Sequence, residues 1–272
     1  MKHWRVCMAD VLAGRIEAIL PGGRGVWIPM DHGASGFPEP GLEDTDSAVD
    51  FAIEGGADAI VLHKGAVSHH SKRTGWGRFV CHLSASTVHG GNRSQDKVLV
   101  GNASESISRG AIGVSAQVNI GEDSESNMIE RFGEISSDAF KHELPILGMF
   151  YPRGPNLSPD PSDPTKGVAH AARLAWELGC NVVKVPWTGS VETFRIVTSC
   201  VPIPVLISGG PGGDARFSDT LEVVEKSIIA GGSGVCLGRK VFGADDPVSH
   251  IRALRAIGHD EASASEAARH LG

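Results

Sequence analysis

The chain of 272 residues predicts an α/β protein, a (β/α)8 TIM barrel preceded by a leading helix. Three observations carry that expectation: eight short apolar runs, helical patterns between most of them, and glycine-rich turns after the last two runs. A strand covered on both faces reads as a near-continuous run of Val, Ile and Leu, and alternation with helices gives a parallel sheet. The runs occupy 25–31, 59–64, 79–83, 111–120, 145–151, 181–187, 203–207 and 234–237. Helical periodicity fills 45–54, 125–142, 168–178, 191–199, 217–230 and 247–257, and the segment before Pro21 reads as the leading helix. A doubly wound sheet competes, but G-x-G-x-x-G is missing after the first run. One domain over 1–272 follows, because α/β barrels commonly use about 250 residues. The polar stretches 65–76 and 84–97 are long for simple turns and are expected as loops over the active face.

Composition narrows the function. Lys and Arg total 25 against 32 Asp and Glu, a net charge of -7 with no dense basic run, which argues against nucleic-acid partners that require clustered cations. The five cysteines, at 7, 81, 180, 200 and 236, form no C-x-x-C pair, so neither a disulfide framework nor a zinc ribbon is expected and a reducing cytoplasm suits them. The N-terminus builds no secretory-type apolar stretch, and no membrane association is expected.

A charge inside an apolar strand must be paired or used. Lys184 sits in VVKVPW, where alternation places it with Val182 and opposite Val183 and Val185. On the barrel interior, desolvation is expected to lower its pKa and make the amine nucleophilic, able to form a Schiff base. A structural lysine paired with a carboxylate is the equal alternative. Lys64, ending its own apolar run, is a rival for the same work or a phosphate contact. Tyr151, the only tyrosine, closes PILGMFY before Pro152 and Arg153, where a barrel would aim it at substrate. Asp31 follows the first run in the same way, with a helix cap or salt bridge as its bland role. Ser208, Gly209 and Gly210, then Gly238 and Arg239, follow runs seven and eight, where barrels often cradle phosphate with bare backbone N–H groups and one cation.

Between residues 25 and 257 the chain resembles the archaeal-type class I aldolases, which include fructose-bisphosphate aldolase and 2-amino-3,7-dideoxy-D-threo-hept-6-ulosonate synthase. The likeness rests on MDHG at 30–33, EGGADAIVLHKG at 54–65, HLS at 82–84, YPRG at 151–154, AHAARLAWELG at 169–179, the VVK strand, SGGP at 208–211 and LGR at 237–239. The resemblance implies a barrel enzyme without metal or organic cofactor, working as a homo-oligomer. It implies Schiff-base formation by Lys184, proton transfer by Asp31 and Tyr151, and phosphate binding by the SGGP and GR loops. His32 and Arg153 are further candidates on the acceptor side.

The partners so implied are a phosphorylated ketose or triose and an aldehyde, with dihydroxyacetone phosphate adding to L-aspartate 4-semialdehyde as the leading expectation. Met149 stands where sugar-bisphosphate aldolases of this family tend to carry tryptophan, and KVPW departs from the small polar residues of the amino-sugar acid synthases. Transaldolase-type transfer and fructose-bisphosphate cleavage remain alternatives, as does a non-catalytic phosphosugar-binding barrel. A metal aldolase would need clustered histidines. The 12 present, including His63, His69, His70, His82 and His89, lack ligand spacing on one element and read as solvated loop residues.

Overall fold

All eight apolar runs become strands of one closed parallel barrel in the computed structural model, which describes residues 2–157, 163–209 and 216–272. The leading helix α1 (Lys2–Ile19) precedes β1 (Gly25–Pro29), α2 (Thr45–Gly55), β2 (Ala59–His63), α3 (Lys64–His70) and β3 (Phe79–His82). An antiparallel ribbon of β4 (Ser84–Ala85) and β5 (Val98–Leu99) interrupts the alternation before α4 (Ala103–Ser108) and β6 (Gly113–Ile120). The series continues with α5 (Glu125–Lys141), β7 (Ile146–Pro152), α6 (Thr165–Glu177), β8 (Val182–Pro186), α7 (Val191–Ser199), β9 (Val205–Ser208), α8 (Phe217–Ile229) and β10 (Gly234–Cys236). The helices α9 (Arg239–Phe242), α10 (Pro247–His259) and α11 (Ala264–Ala267) follow. Around the barrel the strands run β1, β10, β9, β8, β7, β6, β3, β2 and back to β1.

Alternation sorts each strand between two apolar clusters. Val183 and Val185 of β8 face outward into the layer shared with the helices, while Val182 joins Leu147, Met149, Leu206 and Cys236 inside. Helix boundaries carry their own chemistry: the Asp44 carboxylate caps α2 at the backbone N–H groups of Asp46 and Ser47, and Gly56 ends that helix at φ 86°. Ser190 and Thr193 form a reciprocal capping box on α7.

Two expectations about loops diverge. Part of 65–76 is α3, the barrel's second helix; its N-cap His63 offers no side-chain bond, so the usual start signal was absent from the sequence. The stretch 84–97 does reach the active face, on the ribbon of β4 and β5.

The leading helix closes the barrel's lower end. Ile16, Ile19 and Leu20 pack against the inner cluster, and the Trp27 indole N–H donates to the Ile19 carbonyl at 2.6 Å. Nearby, buried Asp58 stitches β1 to α10: one oxygen accepts from Val26 N at 2.7 Å and meets His259 Nε2 at 2.7 Å, and the other accepts from Arg255 Nη1 at 3.1 Å. Asp58→Ala strands these donors and is expected to cost about 3 kcal/mol in urea unfolding. A loss below about 1 kcal/mol would mean that the three bonds contribute little beyond solvation.

Candidate active site

The C-terminal strand ends bring the sequence candidates into one mouth. Lys184 points inward from β8, only 6% exposed, in register with Met149 of β7 and Leu206 of β9. Tyr151 lies two residues along β7 on the same inner face, Cys236 closes β10, and Asp31 opens the short helical turn after β1. Bare backbone permits the close approach of these ends. A Cβ on Gly238 would lie 2.5 Å from the Pro29 carbonyl oxygen and 2.8 Å from the His32 ring, so β10 and β1 could not converge with a larger residue there.

Charge on Lys184 differs from the expectation. Burial opposes it, but Cys236, Tyr151 and Asp31 outweigh burial, and its pKa lies above that of an ordinary lysine. The lowered pKa expected from desolvation alone is therefore corrected: three neighbours, on β7, on β10 and in the turn after β1, supply what the sequence pattern could not reveal. Of the three, only Asp31 is an anion near neutral pH, since burial raises the Cys236 thiol to about 11 and pushes the Tyr151 phenol up as well. Burial also works against charge on Asp31, yet His82, His32, Lys184 and His63 together hold it far below the usual carboxylate range. His82 itself is pushed down to about 3 by burial, and burial lowers His32 and His63 too. Near neutral pH these rings therefore act on Asp31 as dipoles, and Lys184 is the cation it faces.

The histidines are ordered parts of this mouth. His82 Nε2 lies 3.9 Å from Asp31 Oδ2, and His32 Nδ1 lies 4.0 Å from Asp31 Oδ1. Ser115 Oγ meets His82 Nδ1 at 2.8 Å, while Ser84 Oγ accepts from Gln117 N at 2.9 Å and stands 3.3 Å from His82 Nε2. His63 Nδ1 donates to the His82 carbonyl at 3.1 Å. Reading His63 and His82 as solvated loop residues is thus corrected: both are strand residues turned into the barrel. Elsewhere, among the described residues, Asp46, His69 and His70 come near enough to share a metal ion, but Arg73 donates to Asp46 at 2.8 Å and supplies the positive charge there.

Two cavities meet over Lys184. One, of about 490 Å³, is lined by Ser208, Gly209, Gly238 and Arg239; the other, of about 510 Å³, is lined by Asp31, Gln95, Lys97 and Gln117. Lys184, Tyr151, His32, Arg153 and Arg239 belong to both. The Arg153 guanidinium stacks 4.3 Å from the Tyr151 ring centroid. Gly210, expected in the phosphate cradle, lies outside the described residues. Lys64 does not join the group: its side chain is 41% exposed and pairs with Glu105 at 3.2 Å, because α3 begins there and carries it away from the barrel axis. Sequence reasoning missed Lys97, Gln117 and Cys236. Gln117 and Cys236 share the inward alternation of their strands, a signal that was legible; Lys97 gave none, being one charge in a polar stretch. An amine, a phenol and a carboxylate above glycine amides and an arginine make a set competent for imine chemistry on an anionic carbonyl compound.

Comparison with known proteins identifies the family. Residues 26–244 match the DeoC/LacD family aldolase model. The 2-amino-3,7-dideoxy-D-threo-hept-6-ulosonate synthase 1 of Archaeoglobus fulgidus is 37% identical over 259 residues, 95% of each chain. The 2-amino-4,5-dihydroxy-6-oxo-7-(phosphonooxy)heptanoate synthase of Streptomyces griseus is 37% identical over 224 residues, 81% of this chain and 79% of that one. Among solved structures, an archaeal fructose-1,6-bisphosphate aldolase whose catalytic lysine is covalently bound to the carbinolamine intermediate superposes with a TM-score of 0.78. It is 28% identical and covers 90% of this chain and 98% of its own. The chain belongs to the DeoC/LacD family of aldolases.

Proposed function

We propose that this aldolase forms an imine between Lys184 and dihydroxyacetone phosphate and adds the resulting enamine to L-aspartate 4-semialdehyde. The observation that carries the reading is the position of Lys184: a buried amine at the junction of two cavities, facing Asp31 and Tyr151, with the Gly209, Gly238 and Arg239 cradle on one side. Arg239 and the adjoining backbone N–H groups hold the phosphate, which fixes the ketone over the amine.

Lys184 enters the reaction once its proton leaves, and Asp31 is the anion at hand. An ammonium–carboxylate pair and an amine–carboxylic acid pair differ by one proton shift, and expulsion of water by substrate favours the uncharged pair. The amine then adds to the ketone carbon, and Asp31 returns the proton to the carbinolamine hydroxyl so that water departs. The iminium draws electrons from the neighbouring carbon, whose proton the Tyr151 hydroxyl takes as it hands its own to the Asp31 carboxylate; the enamine attacks the aldehyde, the new alkoxide takes that proton back, and water hydrolyses the product imine.

Carbon counting supports the acceptor. In the product named for the Streptomyces griseus relative, the ketone is at C6, the phosphate at C7 and the amino group at C2. Disconnecting C4 from C5 gives dihydroxyacetone phosphate and a four-carbon 2-amino-4-oxo acid, which is aspartate semialdehyde, and no atom is gained or lost. A second reading is favoured by the Archaeoglobus fulgidus relative, which matches over 95% of the chain: its named product is 7-deoxy and carries no phosphate, so its three-carbon unit comes from another donor. Free dihydroxyacetone phosphate tested as donor separates the two.

Borohydride reduction with dihydroxyacetone phosphate is expected to add the donor irreversibly to the peptide bearing Lys184, as peptide mass mapping will report. Label on Lys97, or none at all, would overturn the assignment. Lys184→Met is expected to abolish trapping and lower turnover by at least about 10³-fold. Tyr151→Phe should still trap donor while turnover falls about 10²- to 10⁴-fold, since only proton transfer is removed. Asp31→Asn deletes the anion that favours the charged amine, so the Lys184 pKa falls and the limb over which trapping rises with pH, as the amine loses its proton, moves to lower pH. A limb that stays put or moves upward would show that Asp31 does not hold the charge.

A further inference from the structure

Lys97 is a buried cation that the reaction sequence above leaves unused. It ends the loop between β4 and β5, is 9% exposed and lines the second cavity. Its backbone is clamped from behind. The preceding Asp96 accepts bonds of 2.6 Å from Arg93 Nη2 and from Arg131 Nη1, and Arg131 also donates to the Lys97 carbonyl at 2.9 Å. Two guanidinium groups thus neutralise Asp96 and leave it nothing for its neighbour. Among the described residues no carboxylate lies within ion-pair distance of the Lys97 ammonium; the anion in its field is Asp31, which already faces Lys184, and Arg153 adds like charge. A buried cation without a counter-ion is costly unless a ligand brings one.

We propose that Lys97 binds the carboxylate of the acceptor aldehyde, so that the second cavity selects aldehydes carrying that group; the inference rests on the aldol reading above. The two cavities divide the anions by their chemistry. Arg239 reaches both cavities, but only the first adds glycine amides, a set that suits a phosphate taking several donors at once, whereas the second adds one compact ammonium beside the amides of Gln95 and Gln117, which matches a single carboxylate. Gln117 is held for this task, its Nε2 donating to Asn119 Oδ1 at 2.8 Å while Asn119 Nδ2 donates to the Gln95 carbonyl at 2.7 Å. Arg153 is committed to the face of Tyr151. With one anion anchored on each side of Lys184, the two reacting carbons meet between them.

The test compares wild type with Lys97→Met and Lys97→Arg using three acceptors: L-aspartate 4-semialdehyde, D-glyceraldehyde 3-phosphate and uncharged propanal. Lys97→Met is expected to lower kcat/KM for the semialdehyde about 10- to 100-fold, through KM, with propanal and borohydride trapping of dihydroxyacetone phosphate unchanged, and Lys97→Arg to recover part of the loss. L-Homoserine, which carries a hydroxymethyl group in place of the aldehyde, is expected to compete with the semialdehyde in wild type. That measurement decides the matter should Lys97→Met fail to fold, absence of competition overturning the proposal. Equal losses with propanal, no loss with the semialdehyde, or a loss confined to glyceraldehyde 3-phosphate would each overturn it as well. Failure of wild type to trap the donor would sink the aldol reading and this inference with it. Intact trapping with an unchanged acceptor ratio sinks this inference alone.

Discussion

A charged amine sealed inside a barrel of hydrocarbon is the constraint on which the rest of this mouth depends. Lys184 is flanked by Met149 and Leu206 and faces one group that is anionic near neutral pH, Asp31. Each charge lies in the field of the other, and a buried charge left without an opposite one nearby is costly. The neutral histidines surround the carboxylate with dipoles instead of competing cations, which keeps the lysine as its counter-ion. On the proposed function, reactivity and stability would draw on the same two groups: what holds the amine charged at rest would also be the base that discharges it.

The polar interior is graded around that pair. On one side lie glycine amides; on the other lie side-chain amides, hydroxyl groups and an ammonium, and the Arg239 guanidinium reaches both. Both are built on rigid supports, strand ends in the first case and the clamped ribbon of β4 and β5 in the second. Binding groups carried on such supports spend little ligand affinity on ordering the protein, and so leave more for aligning the reactants.

Much of this was legible in the sequence because barrel strands expose their logic through alternation. Lys184 and Tyr151 interrupt apolar runs, where a polar side chain has few bland explanations, and Asp31 and Arg239 stand immediately after strands. The direction of the Lys184 pKa was not legible, since Tyr151 and Cys236 approach it from two other strands and Asp31 from the turn after a third, and only closure of the barrel brings them together. Lys64 misled for the converse reason: it ends an apolar run in the sequence, but α3 begins at that residue and turns it outward toward Glu105. Lys97 sits among polar residues where a further charge attracts no notice, and its burial is a product of the ribbon folding over the mouth.

The helix that packs Ile16, Ile19 and Leu20 beneath Trp27 gives the barrel a floor. In the proposed reaction, ketone, aldehyde, product and water would all use the mouth where the two cavities meet, above that floor. On the proposed function, an imine at Lys184 would be shielded from hydrolysis while an acceptor fills that mouth and exposed to it once the acceptor is absent. The incoming aldehyde would then be both reactant and cork, and the fate of the intermediate would turn on how long the entrance stays occupied.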